Sequence, residues 1–354
     1  MNKNFWKGKR VLVTGHTGFK GAWLMEYLLM LEAEPVGLAL APEDPLNLFD
    51  QLNLASRVEN KFINILNLSE VRNFASEVSP EIVIHMAAQP LVRQSYLDPV
   101  NTFNVNVMGT INVIEACRNL PDLRAFVSIT TDKVYENREW LWPYREIDAL
   151  GGFDPYSASK ACAELACQSY NRSFFNNKIN LATARAGNVI GGGDWSKDRL
   201  VPDIVKAFSA EATAIIRSPH SIRPWQHVLE SLNGYLLLAE KLYGSDGAKY
   251  SGPWNFGPDA DSFATVEEVV KLMSTMWPTN PSWDLYSLGG AHEAKNLIID
   301  SSKARAELLW NSCLDLREAI DLTVEWYNNY RNSDVIELTR LQINKFLEKR
   351  DNIC

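Results

Sequence analysis

An α/β chain built on a doubly wound parallel sheet, with a smaller C-terminal α+β domain, is the fold class that three features of the 354-residue sequence predict. Short β-rich runs alternate with helix-length segments through the first half. A glycine triplet follows the first run directly, and after Gly191 the alternation gives way to loops rich in Gly, Pro, Trp and charge. Parallel neighbours need crossovers, so alternation of this kind covers a sheet on both faces.

The first run, "RVLVTG" at 10–15, ends at a glycine and feeds a helix-length segment at 21–31. Further strand candidates are 34–40, 61–66, 81–88, 125–131 and 179–189, with helix candidates at 69–78, 100–119 and 156–175. A first domain is therefore expected over 1–186. The second is expected over 187–340, mainly 187–223 and 251–340, because the apolar helix-like run 228–241 returns the chain to the first domain at about 224–250. Residues 334–349 have the amphipathic spacing of a packing helix.

Composition narrows the function classes. A formal charge of −8 argues against nucleic acid or an anionic membrane as a standing partner, since both need a basic face. The basic start "MNKNFWKGKR" lacks the apolar segment of a signal peptide, and no apolar run is long enough to span a bilayer, so a cytoplasmic protein is expected. Cys117, Cys162, Cys167, Cys313 and Cys354 form no Cys-x-x-Cys pair and have no histidines at ligand spacing; reduced thiols and no metal are expected.

The glycine triplet, "TGHTGFKG", places Gly15, Gly18 and Gly21 at three-residue intervals between a strand and a helix. That is what a Rossmann-type dinucleotide site needs: a tight turn, close approach of backbone to a pyrophosphate, and a helix N-terminus facing the anion. An acid ~20 residues on, which normally takes the adenosine ribose, is missing. The second strand ends "GLALAP", with Glu43 and Asp44 only beyond Pro42 and no Arg or Lys in the turn. NAD is expected over NADP, with the ribose held weakly or by backbone groups.

"YSASK" sets Tyr156 and Lys160 four residues apart, on one helix face. A phenol of ordinary pKa ~10 is a poor base, and a neighbouring ammonium favours its phenolate. Thr131, ending the fifth strand, is placed to hydrogen-bond a substrate hydroxyl. The next two residues, Asp132 and Lys133 of "TTDKVY" (130–135), would point to opposite faces of a regular strand. For both to reach one substrate, the strand must end near Thr131 and turn.

"TGHTGFKG", "HMAAQ" (85–89), "NVMGTINVIEA" (106–116), "TTDKVY", "YSASK" and "GNVIGGGD" (187–194) occur in an order that resembles the extended short-chain dehydrogenase/reductase family from residue 10 to about 330. The resemblance implies that Gly15, Thr17, Gly18, Phe19, Gly21, Ala87, Ala88, Tyr156 and Lys160 bind NAD. It also implies that Thr131, Tyr156 and Lys160 oxidise a sugar carbon of a nucleotide-diphosphate sugar. Asp132–Lys133 is similar to the acid and second ionisable group of the family's 4,6-dehydratases. In that chemistry Tyr156 takes the C4 hydroxyl proton, Lys133 takes the C5 hydrogen, Asp132 protonates the leaving C6 hydroxyl, and hydride returns to C6.

Asp-Lys at those positions, with "HTGFKGAWL" and "RPWQHVLE" (223–230), resembles the branch acting on CDP-glucose. Other dTDP- or UDP-sugar dehydratases and 4-epimerases stand as alternatives, with a non-catalytic dinucleotide sensor behind them. For the substrate the resemblance implies Gln89, Asn188, Arg199 and Arg223, with Arg217 as a further cation; Trp195 or Trp225 could stack on the pyrimidine. His85 reads as a packed, hydrogen-bonded histidine. The resemblance further implies a homodimer through helices 100–119 and 156–175, and deoxysugar synthesis for lipopolysaccharide O-antigen.

Overall fold

The computed structural model describes residues 2–175, 178–259, 262–285 and 296–353, the last of these without its side chain. Seven strands form the central sheet: β1 (Arg10–Thr14), β2 (Glu34–Ala39), β3 (Glu59–Phe62), β4 (Ile82–His85), β5 (Ala125–Ile129), β6 (Asn180–Arg185) and β7 (Gly252–Asn255). Their spatial order is β7-β6-β5-β4-β1-β2-β3, and every pairing is parallel. Strands β4, β5 and β6 are buried at every position, as a sheet covered on both faces requires. The order reverses at β1, which opens a crevice at the carboxyl ends of β1 and β4.

Five helices build the walls of that crevice or brace them: α1 (Phe19–Met30), α2 (Pro155–Tyr170), α3 (Leu200–Ser209), α4 (Val228–Tyr243) and α5 (Val335–Ile353). α4, the expected return segment, is buried along most of its length in the main core. Short two-stranded ladders pair Val189–Ile190 with Gln226–His227, Ile222–Pro224 with Phe263–Thr265, and Ala214–Ile216 with Trp283–Leu285. They frame the far wall of the crevice. Helix α5 packs through Ile343 and Phe346 and is pinned to α1 by Arg340, which donates to the fully buried Glu26 at 2.7 Å. Among the described residues, no helix is long and apolar enough to cross a membrane.

Two sequence expectations shift. The third strand runs Glu59–Phe62 rather than 61–66, because β2 ends at Ala39, opposite Phe62, and leaves later residues no strand to pair with. The seventh strand, "GPWN", falls inside 251–340, expected to belong wholly to the second domain. Gly252–Pro253 reads as a strand breaker, but here it lies on the sheet's outer edge, where a missing N–H is tolerated. Of the five cysteines, Cys117, Cys162 and Cys167 are thiols, Cys313 Sγ donates to the Asn311 carbonyl, and Cys354 lies outside the described residues.

One buried acid gives the fold a pH signature. Glu230, in the first turn of α4, accepts from the Cys313 and Leu314 amides through Oε1 at 2.7 and 2.6 Å, and burial pushes its carboxyl up to about 8. Its folded pKa lies above its unfolded value, so as pH rises the unfolded chain releases this proton first. Stability is therefore lost as pH rises from about 4.5 to about 8. Glu230→Gln keeps the accepting oxygen and removes the titration. Thermal unfolding across that range should show a flatter profile and a more stable variant at pH 8.

Candidate active site

A cavity of about 1640 Å³ runs from the glycine turn, past the carboxyl ends of β4 and β5, to Ala214–Ile216. It exceeds the roughly 300–1,000 Å³ usual for one small ligand, and it has room for two.

At one end, Gly15 adopts φ +76°, and a Cβ there would lie 2.7 Å from the Ala87 amide nitrogen. A Cβ on Gly21 would lie 2.1 Å from the Gly15 carbonyl oxygen, so only glycine lets α1 sit this close to the turn. Gly18 caps α1 without a side-chain bond, leaving the first-turn amides facing the cavity. These features fit a dinucleotide pyrophosphate. Thr17 Oγ1 donates to the Leu40 carbonyl at 3.0 Å, tying the turn to the end of β2. The described lining beside β2 is Ala39, Leu40, Ile63, Asn64 and Ile65, with no acid for a ribose.

The middle of the cavity holds the residues expected to react. β5 stops at Ile129, and Asp132–Val134 forms a 3-10 turn capped by Thr131, whose Oγ1 accepts from the Lys133 amide at 3.3 Å. The turn replaces strand alternation, so Thr131, Asp132 and Lys133 all line the same cavity. Thr131 Oγ1 donates to Asp132 Oδ1 at 2.9 Å, while Asp132 Oδ2 is buried and has no hydrogen-bond partner among the described residues. Gly187 faces that oxygen: a Cβ there would lie 1.9 Å from it. Gly187→Ala must push the carboxyl aside, and displacement on this scale is expected to slow turnover about 10²-fold, read as product formed under saturating cofactor.

Helix α2 brings the phenol and amine. Asp154 caps it, accepting from the Ser157 amide at 2.9 Å, and Pro155 opens it. Tyr156 is pushed up to about 12 by burial, against the hydrogen bond with Thr131 and the charge of Arg199. Lys160 donates to the Ile129 carbonyl at 3.1 Å, and burial lowers it to about 8. His85 is a packing residue: its ring nitrogens meet the Thr14 and Thr110 hydroxyls at 2.6 and 3.0 Å, and burial lowers it to about 3.

Beyond the reactive groups, Asn188, Arg199, Arg217, Arg223 and Trp225 line the cavity. Asn188 takes the left-handed conformation, with φ +44°. Arg223 is buried, and Arg199 reaches Asp194 at 3.4 Å.

A family model described as the NAD dependent epimerase/dehydratase family matches residues 11–251. The chain belongs to that family. A curated relative, the CDP-glucose 4,6-dehydratase of Salmonella typhimurium, is 47% identical over 98% of both chains. The dTDP-glucose 4,6-dehydratase of Xanthomonas campestris is 25% identical over 89% of this chain and 92% of its own. Among solved structures, the Thermus thermophilus UDP-glucose 4-epimerase in complex with NAD superposes with a TM-score of 0.78 at 24% identity, covering 90% of this chain and 99% of that one. The Streptomyces venezuelae dTDP-glucose 4,6-dehydratase with NAD bound gives 0.77 at 21%, covering 91% and 98%. At these identities the two structures speak for the fold.

In this epimerase/dehydratase chain, two expected substrate residues sit outside the cavity lining. Trp195 packs edge-on against Tyr327 at 5.2 Å and tilted on Tyr330 at 5.3 Å, so its indole serves the core rather than a base. Gln89 spends its amide locally: Nε2 donates to the Leu91 carbonyl and Thr102 Oγ1 at 3.1 and 2.9 Å, and Oε1 accepts from the Leu91 amide at 2.6 Å.

Three residues that line or brace the site were not singled out from the sequence. Lys20 reaches into the cavity and donates to the Tyr235 hydroxyl at 3.1 Å; burial, with Arg199 and Lys160 nearby, lowers it to about 7. A lysine in the first turn of a helix opposes the helix dipole, and that was the available signal. Arg93 lines the mouth and pairs with Asp198 at 2.8 Å. Asn106 lies in the π-helical turn Asn104–Met108, where it holds the Gln89 backbone and donates to Ser159 Oγ at 2.8 Å.

Proposed function

We propose that the chain is a lyase converting CDP-D-glucose to CDP-4-keto-6-deoxy-D-glucose with NAD as cofactor. The observation that carries this reading is the turn at Asp132–Val134, which sets an acid with one unpartnered oxygen and a lysine beside Thr131 and Tyr156 on one cavity wall. A 4-epimerase needs only the oxidising set. The near full-length similarity to a CDP-glucose 4,6-dehydratase supports the cytidine substrate.

NAD, bound on the glycine turn, supplies the hydride acceptor for C4 and the hydride donor for C6. Tyr156, on the same cavity wall as Thr131, takes the C4 hydroxyl proton. The C4 ketone acidifies the neighbouring C5 hydrogen, which Lys133 removes. Asp132 gives a proton to the C6 hydroxyl, and one water leaves. The Lys133 ammonium exchanges with solvent and gives a proton to C5 as C6 is reduced, and Tyr156 and Asp132 regain their starting states through solvent. Arg199, Arg217 and Arg223, with Asn188, hold the diphosphate, since guanidinium forks match phosphate oxygens.

In this reading residues 1–186 and about 224–250 carry the cofactor, joined by β7, and the rest of 187–340 carries the nucleotide sugar. The reaction is assigned to the cytoplasm and to deoxysugar synthesis for lipopolysaccharide O-antigen on family resemblance. Exposed Leu97, Val100, Phe103 and Met108 on one helical stretch, with Leu165 and Phe174 on the other, support a homodimer through these faces. Sedimentation at micromolar concentration should show the dimer; a monomer would contradict it.

The function is tested by incubating the protein and NAD separately with CDP-glucose, dTDP-glucose, UDP-glucose and UDP-N-acetylglucosamine. Loss of one water from CDP-glucose alone is expected. An isomer of unchanged mass would point to an epimerase.

A further inference from the structure

The turn that carries Asp132 and Lys133 is held at both ends by one buried ion pair. Glu164 lies on α2 one turn beyond Lys160, and Arg185 ends β6; both are fully buried. Glu164 Oε1 accepts from Thr130 Oγ1 at 2.6 Å and Arg185 Nε at 2.9 Å, and Oε2 accepts from Thr183 Oγ1 at 2.6 Å and Arg185 Nη2 at 2.9 Å. The remaining Arg185 nitrogen, Nη1, donates to the Tyr135 hydroxyl at 2.7 Å, with the guanidinium 4.8 Å from the Tyr135 ring centroid. That hydroxyl donates its own hydrogen to Asn255 Oδ1 at 2.7 Å, so none is left for a ligand.

Thr130 is the residue before Thr131, and Tyr135 is the residue after the turn. The carboxylate that grips the first is on the helix of Tyr156 and Lys160, and the guanidinium that grips the second is bound to that carboxylate. A buried ion pair is a weak source of stability, because well-packed apolar residues often do as well. What it adds here is direction, through a bidentate fork with every acceptor site used.

We propose that the Glu164–Arg185 pair, acting through Thr130 and Tyr135, is a positioning device that registers the elimination pair Asp132–Lys133 against the oxidation pair Tyr156–Lys160. The proposal rests on the dehydratase reading. Two chemistries on one bound sugar, at C4 and at C5–C6, need both pairs set together, and misplacement of about 1 Å at either can cost about 10²-fold. None of the four positioning residues needs to touch the reacting atoms.

The test uses the full-length protein with NAD and CDP-glucose, comparing wild type with Tyr135→Phe and Thr130→Val. Each substitution removes one hydroxyl from one end of the clamp and keeps its volume, and thermal unfolding checks that each variant is folded. Rapid mixing follows the reduced-nicotinamide absorbance for oxidation, and quenched samples follow loss of water by mass. In both variants oxidation is expected within about twofold of wild type while water loss falls at least about tenfold, so that reduced cofactor accumulates. Parallel loss of both steps, or no change in their ratio, overturns the proposal. If wild type itself removes no water from any nucleotide sugar, the dehydratase reading fails first. If it does so and the variants partition as wild type does, only the positioning role fails.

Discussion

Lys133→Met is expected to stop water loss while sparing oxidation at C4. The side chain lines the cavity beside Thr131 and Asp132, and none of the contacts described for the fold uses its amine. The substitution keeps most of the apolar stem, so the 3-10 turn should stay in place. Loss of a general base typically costs about 10²–10⁴-fold, and here the loss should fall on elimination alone. Mixed with CDP-glucose, the variant should show the reduced-nicotinamide band and hold it, with a mass for the sugar two hydrogens below the substrate and no dehydrated product. Normal product formation would remove Lys133 from the chemistry.

Tyr156→Phe should be more complete in its effect, because oxidation gates every later step. Burial raises the phenol to about 12, with Thr131 and Arg199 pulling the other way. The rate of C4 oxidation in wild type should therefore climb as pH rises toward 8, above which Lys160 loses the charge that favours the phenolate. Lys160, lowered to about 8 and anchored on the Ile129 carbonyl, supplies its charge to the same end of the cavity. In the Phe variant neither reduced nicotinamide nor dehydrated sugar should appear, with turnover down about 10³–10⁴-fold. Stopped-flow absorbance and product mass, read together, separate this outcome from that of Lys133→Met.

The parts of the site legible in the sequence are those set by local backbone geometry. Gly15 and Gly21 could be placed because no residue with a Cβ fits where they sit. The turn after β5 could be anticipated because two adjacent side chains in a strand cannot both face one ligand, and a 3-10 turn at Asp132–Val134 is how the chain resolves it. Tyr156 and Lys160 share a face through helical spacing alone.

What escaped depends on contacts between distant residues. Glu164 and Arg185 are 21 positions apart, and Tyr135 and Asn255 are 120 apart, so no periodicity joins them. The loop-rich setting of Trp195 suggests a partner for the base, but only the approach of Tyr327 and Tyr330 decides that the indole is packed away. Gln89 lies in a motif that lines the cavity, yet a bond two residues along the chain turns its side chain to the backbone. Strand β7 was hidden by a Gly-Pro start that is harmful in a central strand and harmless at an edge.

The central claim, that Asp132 and Lys133 make this oxidation site an elimination site, is tested most directly by running the reaction on unlabelled CDP-glucose in D₂O. The expected product is lighter by one water and carries one solvent deuterium at C5, with the hydrogen from C4 recovered at C6. A product of unchanged formula with no deuterium on carbon would contradict the claim and leave the pair without a role in the chemistry.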